Sequence, residues 1–305
     1  MPFPFTVSAD LDLGARVTAA SVDRDADVTV REGEVPATLG AESGELRYQL
    51  KPGEFLLNAP DGSRHYVKDG RTIIYSRGEN SDDSDLTLFL LGSAWGALCY
   101  QRGLIPIHAS GNVVGGRVFA FTGHSGAGKS TLAANLAKRG HDFFTDDTLI
   151  FDPSASGPDA LCYAGQKQLK LWGDAVRKTG AEALQPVRAN ADMDKHYAAP
   201  PSPSAVTVAP FSRLYVLRRT QPDAAAPNTA EKLSGSEALQ AFRRNLFRPQ
   251  YAEILMGRKP LFIGLKALFE SVEVYDFTRE FGPENYDPAV DFIEDHIAGA
   301  GKGIA

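Results

Sequence analysis

Nine consecutive residues constrain this chain more than any others. Gly123-His-Ser-Gly-Ala-Gly-Lys129-Ser130-Thr131 satisfies the pattern G-x-x-x-x-G-K-[ST]. An apolar, strand-like run, VFAFT, enters it, and a helix-forming run, KSTLAANLAKRG, leaves it. Glycines let the backbone turn so that successive amides face inward and can cradle phosphate oxygens. The helix that follows aims its N-terminal dipole at the same anion. Lys129 is expected to reach the β- and γ-phosphates and the Ser130 hydroxyl to ligate Mg²⁺. The expected nucleotide contacts are Gly123, Ser125, Gly126, Ala127, Gly128, Lys129, Ser130 and Thr131, with ATP and Mg²⁺ as the cofactors. A strand that feeds such a loop and a helix implies an α/β core.

The remaining sequence supplies a setting for that core. At 305 residues the chain can hold one large domain or two smaller ones. Residues 1–82 contain short, partly alternating runs (VTVREGEVP, GELRYQLKPGEFLLNAP, RHYVKDG, RTIIYSR) broken by Gly, Pro and Asp, as in an antiparallel β-unit. We therefore expect a β-rich N-terminal domain over 1–82 and the α/β domain over 83–305. GENSDDSD (78–85) reads as a linker that ends in a helix cap. Leu86–Tyr100 is the most apolar window, and its 15 residues fall short of the roughly 20 that a membrane-spanning helix needs. It reads as a buried helix, and no membrane partner is expected. The net charge of −6 and the absence of like-charge runs give no sign of a nucleic-acid surface. The N-terminus, MPFPFTVSAD, lacks a basic start followed by an apolar stretch. Two cysteines, Cys99 and Cys162, with neither metal-ligand spacing nor a disulfide framework, fit a reducing cytoplasm.

Further elements alternate. Gly115-Gly116 signals a hairpin between LIPIHASGNVV and GRVFAFTG. After the loop helix come strands at DFFTDDTLIFD and QLKLW and a helix over DAVRKTGAEAL. Val187 to Pro210 is an irregular segment, a lid or loop candidate containing Lys195, His196 and Tyr197. FSRLYVLRR, SGSEALQAFRRNLF, KPLFIGLKALFES, VEVYDF and PAVDFIEDHIA read as strand, helix, helix, strand and helix.

Several phosphate-loop classes fail on missing parts. There is no Asn-Lys-x-Asp, the guanine-reading element of small GTPases. Leu233-Ser-Gly-Ser236 superficially resembles a transport-ATPase signature, but no apolar run ending in Asp-Glu follows it. What remains is an acidic pair. Asp146 and Asp147 lie 16 and 17 residues beyond Ser130, expected at the end of the next strand. Adjacent strand residues point to opposite faces, so one carboxylate could face a metal and the other an acceptor hydroxyl that needs a base. His108, in PIHASG, could hold or tune a carboxylate, or could be an ordinary core residue.

The stretch IPIHASGNVVGGRVFAFTGHSGAGKSTLAANLAKRGHDFFTDD resembles the catalytic domain of HPr serine kinase/phosphorylase, in its histidine, its loop, its Arg-Gly helix end and its Asp-Asp pair. It is also similar to divergent relatives of that family, including kinases that modify lasso-peptide precursors. The resemblance implies a fold shared with phosphoenolpyruvate carboxykinases of the bacterial type. It implies a kinase that transfers the γ-phosphoryl group of ATP to a hydroxyl, with a serine of a peptide or small protein as the acceptor. It also implies Asp146 as general base, His108 polarising it, and Asp147 with Ser130 on the metal. The chain departs from the family pattern at Lys170-Leu-Trp172-Gly173, where a Glu-x-Arg-Gly stretch would be expected, and at His124, where Asp is frequent. A second metal contact and phosphorylase activity do not follow.

Arg248, in FRRNLFRPQY beside Arg243 and Arg244, and Lys170 are weaker candidates for phosphate contacts. Arg243 and Arg244 are otherwise a solvated helix face, and Lys170 an outward position on a strand. A small-molecule kinase and a nucleotide-binding interaction module remain open alternatives. A homo-oligomer is compatible with all three.

Overall fold

The computed structural model of the chain describes residues 5–13, 26–40, 47–79, 81–187, 194–219, 227–279 and 286–300. It is a mixed α/β structure. The first six strands are β1 (Val7–Ala9), β2 (Val28–Glu32), β3 (Tyr48–Lys51), β4 (Glu54–Asn58), β5 (Arg64–Lys68) and β6 (Thr72–Ser76), and they form one sheet in the order β1-β2-β6-β5-β4-β3. Strands β3 to β6 make the expected antiparallel meander. The remaining pairings, β1 with β2 and β2 with β6, are parallel. The local runs announce strands but not their partners. β2 pairs with β6 only after the whole β3–β5 meander has intervened, and a parallel partner needs a long connection of that kind.

Helix α1 (Asp83–Phe89) begins where a cap is expected, with the Asp82 carboxylate accepting from the Asp85 N–H at 2.7 Å. It passes through a π-helical turn, Leu90–Ala94, into α2 (Trp95–Gln101). Every residue from Leu90 to Tyr100 is buried. One apolar cluster joins Val30, Phe55 and Ile73 of the first sheet to Leu90, Trp95 and Leu98, and then to Ile105 and Phe144 beyond. No described helix is long and apolar enough to cross a membrane.

The chain continues through β7 (Ile105–Ile107), β8 (Ser110–Val114), β9 (Arg117–Thr122), α3 (Lys129–Lys138), β10 (Asp142–Phe151) and β11 (Leu161–Gln166). A small antiparallel sheet follows, made of β12 (Leu169–Trp172), β13 (Glu182–Pro186) and β14 (Lys195–Ala199), with α4 (Gly173–Thr179) between its first two strands. The chain then runs through β15 (Val208–Arg219), β16 (Thr229–Leu233), α5 (Gly235–Arg244), α6 (Pro249–Leu255), α7 (Arg258–Ser271), β17 (Glu273–Arg279) and α8 (Tyr286–Ala300). The second large sheet has the order β11-β10-β8-β9-β15-β17-β16, with β7 added on β10 and β11 also paired to β15. Its centre, β9-β15-β17, is parallel.

Of those central strands β9 is covered on both faces, and its residues from Val118 to Phe121 are all apolar and buried. Along β9, Val118 and Ala120 face the cluster shared with the N-terminal sheet, while Phe119 and Phe121 face a second cluster under α3 and α8. Leu132, Ala133 and Leu136 of α3 meet Val290 and Ile293 of α8 in that second cluster. Its small residues let α3 lie close to the sheet, and Gly140 (φ 99°) ends it in the left-handed conformation.

Three readings of the sequence change. The helix expected over DAVRKTGAEAL stops at Thr179, because Gly180 (φ 68°) caps it, and its second half becomes β13. The segment 187–210 is not irregular throughout, since Lys195, His196 and Tyr197 form part of β14, paired to β12. The part of that candidate lid at 188–193 lies outside the described residues. Finally, Asp146 and Asp147 sit in the middle of β10 rather than at its end.

Candidate active site

The loop between β9 and α3 depends on glycine. Gly123 takes φ 136°, and a Cβ there would come within 2.9 Å of the Leu217 carbonyl oxygen on β15. Gly126 and Gly128 also have positive φ, 79° and 94°, and Gly128 immediately precedes α3. Lys129 folds back over the loop and donates to the carbonyls of Gly123 (3.0 Å) and His124 (3.3 Å). Burial lowers its pKa, against the opposing pull of Asp146 and Asp147. Behind the loop, the Arg279 guanidinium donates to the Ala127 carbonyl at 2.9 Å and lies 4.9 Å from the Tyr286 ring.

The acidic pair is shaped by a bulge. The register of β10 on β11 shifts between Asp146 and Leu149, and Asp147 adopts φ 67°. A regular strand would send the two side chains to opposite faces; here both line one cleft of about 150 Å³, with the loop residues Ser125, Gly126, Gly128, Lys129, Ser130 and Thr131. Gly123 and Ala127 do not line it. Gly123 turns the chain behind the cleft, and Ala127 is buried in the apolar cluster under α3.

The two carboxylates have different company. Asp146, 1% exposed, accepts from the hydroxyls of Ser110 and Ser130 (2.8 Å for Ser130) and from the backbone N–H of Lys170 (2.7 Å). Asp147 meets an ammonium and an imidazole. The Lys170 ammonium lies 2.7 Å from one oxygen and His108 Nδ1 3.4 Å from the other. His108 Nδ1 also donates to the Asp147 carbonyl at 2.8 Å. Burial alone would raise the Asp147 pKa, but Lys170 and His108 together hold it well below the ordinary carboxylate value. Burial depresses His108, opposed chiefly by Asp147; it would depress Lys170 too, where Asp147 reverses the direction and raises it.

The expected pairing is therefore exchanged. The family likeness paired Asp146 with His108 and Asp147 with Ser130; in the fold it is Asp147 that meets His108 and Asp146 that meets Ser130. The bulge is the cause, because the positive φ at Asp147 rotates its side chain away from Ser130 and toward β7's end. Lys170 does not alternate outward as the simpler reading of its strand held. It is buried between Leu169 and Leu171, on the cleft side of β12.

Among the described residues no group of three or more His, Cys, Asp or Glu side chains is placed to hold a metal. Ser130 and Asp146 offer two hard oxygen donors side by side, the set that Mg²⁺ takes when phosphates and water complete its shell. The site thus combines a glycine-rich loop at the start of a helix, a pair of metal-suited oxygens and a second carboxylate held by the Lys170 ammonium and His108.

No family model and no curated protein matches the chain. Among solved structures, it is similar to the Hpr(Ser) kinase/phosphatase from Coxiella burnetii at 13% identity and a TM-score of 0.33, over 64% of this chain and 98% of that one. The likeness is distant and does not place the chain in a family.

Arg248 is not in the cleft. It lines a neighbouring groove that shares His108, Asp147 and Lys170 with it. Arg243 and Arg244 are exposed on α5 and bond to Glu253 and Gln240. The sequence reading missed Ser110, Asn245, Trp172 and Arg279. Asn245 fixes the His108 backbone, accepting its N–H at 2.9 Å, while Thr122 bridges the His108 carbonyl and the Asn245 side chain. Trp172, 44% exposed, stands on the cleft rim, 6.0 Å from the Lys195 ammonium. Of these, only Ser110 carried a signal, standing two residues after His108 in the HASG stretch.

Proposed function

We propose that this chain is an ATP- and Mg²⁺-dependent phosphotransferase whose acceptor is a hydroxyl, a serine of a peptide or small protein. The observation that carries the proposal is one cleft in which a glycine-rich loop with Lys129, the Ser130–Asp146 contact and a separate Asp147–His108–Lys170 group converge.

Loop amides and Lys129 would bind the β- and γ-phosphates. Ser130 and Asp146 would hold Mg²⁺, which neutralises charge on the phosphates when bound. Asp147 is the base. The acceptor oxygen bonds to the γ-phosphorus, the bond from phosphorus to the β–γ bridging oxygen breaks, the hydroxyl proton passes to Asp147, and ADP leaves. His108, anchored through Asn245, keeps the Asp147 carboxylate oriented. Lys170 holds that carboxylate at low basicity until an anion competes for its ammonium, and the γ-phosphate is such an anion.

Substituting each carboxylate separates these roles. Asp146→Asn is expected to weaken ATP binding chiefly in the presence of Mg²⁺. Asp147→Asn is expected to leave MgATP affinity near wild type and to slow transfer by about 10³-fold, within the range for a general base. Titration calorimetry with single-turnover transfer reads both. Wild-type transfer by Asp147→Asn would refute the assignment of the base.

A second reading, a small-molecule kinase, is favoured by the volume of the adjoining groove, about 460 Å³, which is within the size of small-ligand pockets.

A further inference from the structure

The groove beside the cleft opens onto the reacting end of the site. Its floor is the shared wall of His108, Asp147 and Lys170, and its sides are Phe89 and Ser93 of the α1–α2 helical run and Phe247–Gln250 between α5 and α6. None of the loop residues lines it, so an acceptor lying in it could present a hydroxyl to Asp147 without displacing phosphates held by the loop.

Its charge is one-sided. Asp147 is the groove's one acid, already paired with Lys170, and Arg248 adds a second full positive charge. Arg248 is exposed and makes no ion pair among the described residues. Its backbone is also unusual for a side chain of its size, at φ 54° and ψ 59°. Such a conformation is unfavourable for a residue with a side chain and persists only where its surroundings impose it. They do so here. The Phe247 carbonyl accepts from the Tyr100 hydroxyl at 2.8 Å and its N–H donates to the Pro106 carbonyl at 2.9 Å. Gly96 makes room for the Phe247 ring, because a Cβ there would lie 2.9 Å from it. The fold thus fixes an apolar ring, with the exposed Arg248 guanidinium 5.6 Å from its centre, at the mouth of a groove that ends on Asp147.

We infer that this groove is the acceptor site, and that it selects a peptide serine accompanied by an apolar side chain and a nearby carboxylate, which Arg248 binds. The inference rests on the phosphotransferase reading. It adds to it the substrate class and a specificity residue. The apolar side chain packs on Phe89 and Phe247; the carboxylate takes the guanidinium, an interaction stronger than a neutral hydrogen bond. A basic peptide meets Arg248 and Lys170 and is repelled.

The test uses the full chain with MgATP and synthetic blocked peptides in which a Ser-Leu pair carries either Glu or Lys one to three positions away. Wild type is expected to favour the best Glu peptide over its Lys counterpart by about tenfold or more in kcat/KM. Arg248→Glu should reverse that ratio and Arg248→Lys should keep its sign. The ratio is internal to each variant, so a loss of folded protein does not mimic it. Equal ratios in wild type and Arg248→Glu would overturn the inference and leave the phosphotransferase reading standing. So would transfer to free hydroxy acids, such as L-serine, with none to any peptide. Absence of MgATP binding by the wild type in calorimetry would instead remove the phosphotransferase reading, and the inference with it.

Discussion

The N-terminal sheet and the cleft both bury ionisable side chains, and they do so in opposite ways. In the sheet, His65 is wholly buried on β5, its Nε2 3.2 Å from the Ser63 hydroxyl and its Nδ1 without a hydrogen-bond partner. Burial drives its pKa down to about 4, with only weak opposition from Asp61, so the group is neutral and nothing is asked of it. In the cleft, Lys129, Asp146 and Lys170 are buried too, and each is matched to a polar or oppositely charged partner. A buried neutral imidazole is a modest cost that packing can absorb. A cluster of buried ionisable groups is more expensive than an apolar replacement would be, which makes the cleft the candidate site in this chain.

The contrast can be broken most sharply at Lys170. Lys170→Met leaves the Asp147 carboxylate without its main cation, and we expect a loss of about 4 kcal/mol in urea unfolding. Adding Asp147→Asn should restore much of it; a double-mutant cycle without such coupling would mean that the pair does not hold the cleft together. For His65 the dependence is on pH. The unfolded chain binds a proton below its ordinary value of 6.5, whereas the folded chain resists until about 4. Stability is therefore flat above pH 6.5 and falls as pH drops from 6.5 to 4, by roughly 3 kcal/mol in all. His65→Leu should remove that slope, and it should leave phosphoryl transfer at pH 7.5 unchanged. The smallest effect concerns Gly123. Gly123→Ala forces a Cβ into a φ that side chains avoid and against the Leu217 carbonyl, costing on the order of 2 kcal/mol. Thermal melts with and without MgATP would show the penalty growing when the loop must close on phosphate.

The glycine-rich loop, its entering strand and its helix were all legible in the sequence, because the glycines that turn the chain lie within nine adjacent positions. The α1 cap at Asp82 and the Gly115-Gly116 hairpin were legible for the same reason. Lys170 is readable from the sequence either as a phosphate contact or as an outward strand position, and its burial removes only the second. Alternation on β12 tells which residues share a face, but both faces of that strand are buried, one against apolar side chains and the other against Asp147. Trp172 and Arg279 carried no local signal, since their importance lies in what approaches them from elsewhere in the chain.

Composition and short-range pattern alone determined that a glycine-rich loop of the phosphate-binding pattern sits between a buried strand and a helix, with two carboxylates and a histidine as the candidates to stand near it. The different partners of Asp146 and Asp147 came only from tertiary structure. They depend on a one-residue register shift against β11, a pairing that adjacent residues do not encode. The groove that brings Phe89 opposite Arg248 is likewise assembled from segments about 160 positions apart, and only packing of α2 against α6 brings them together.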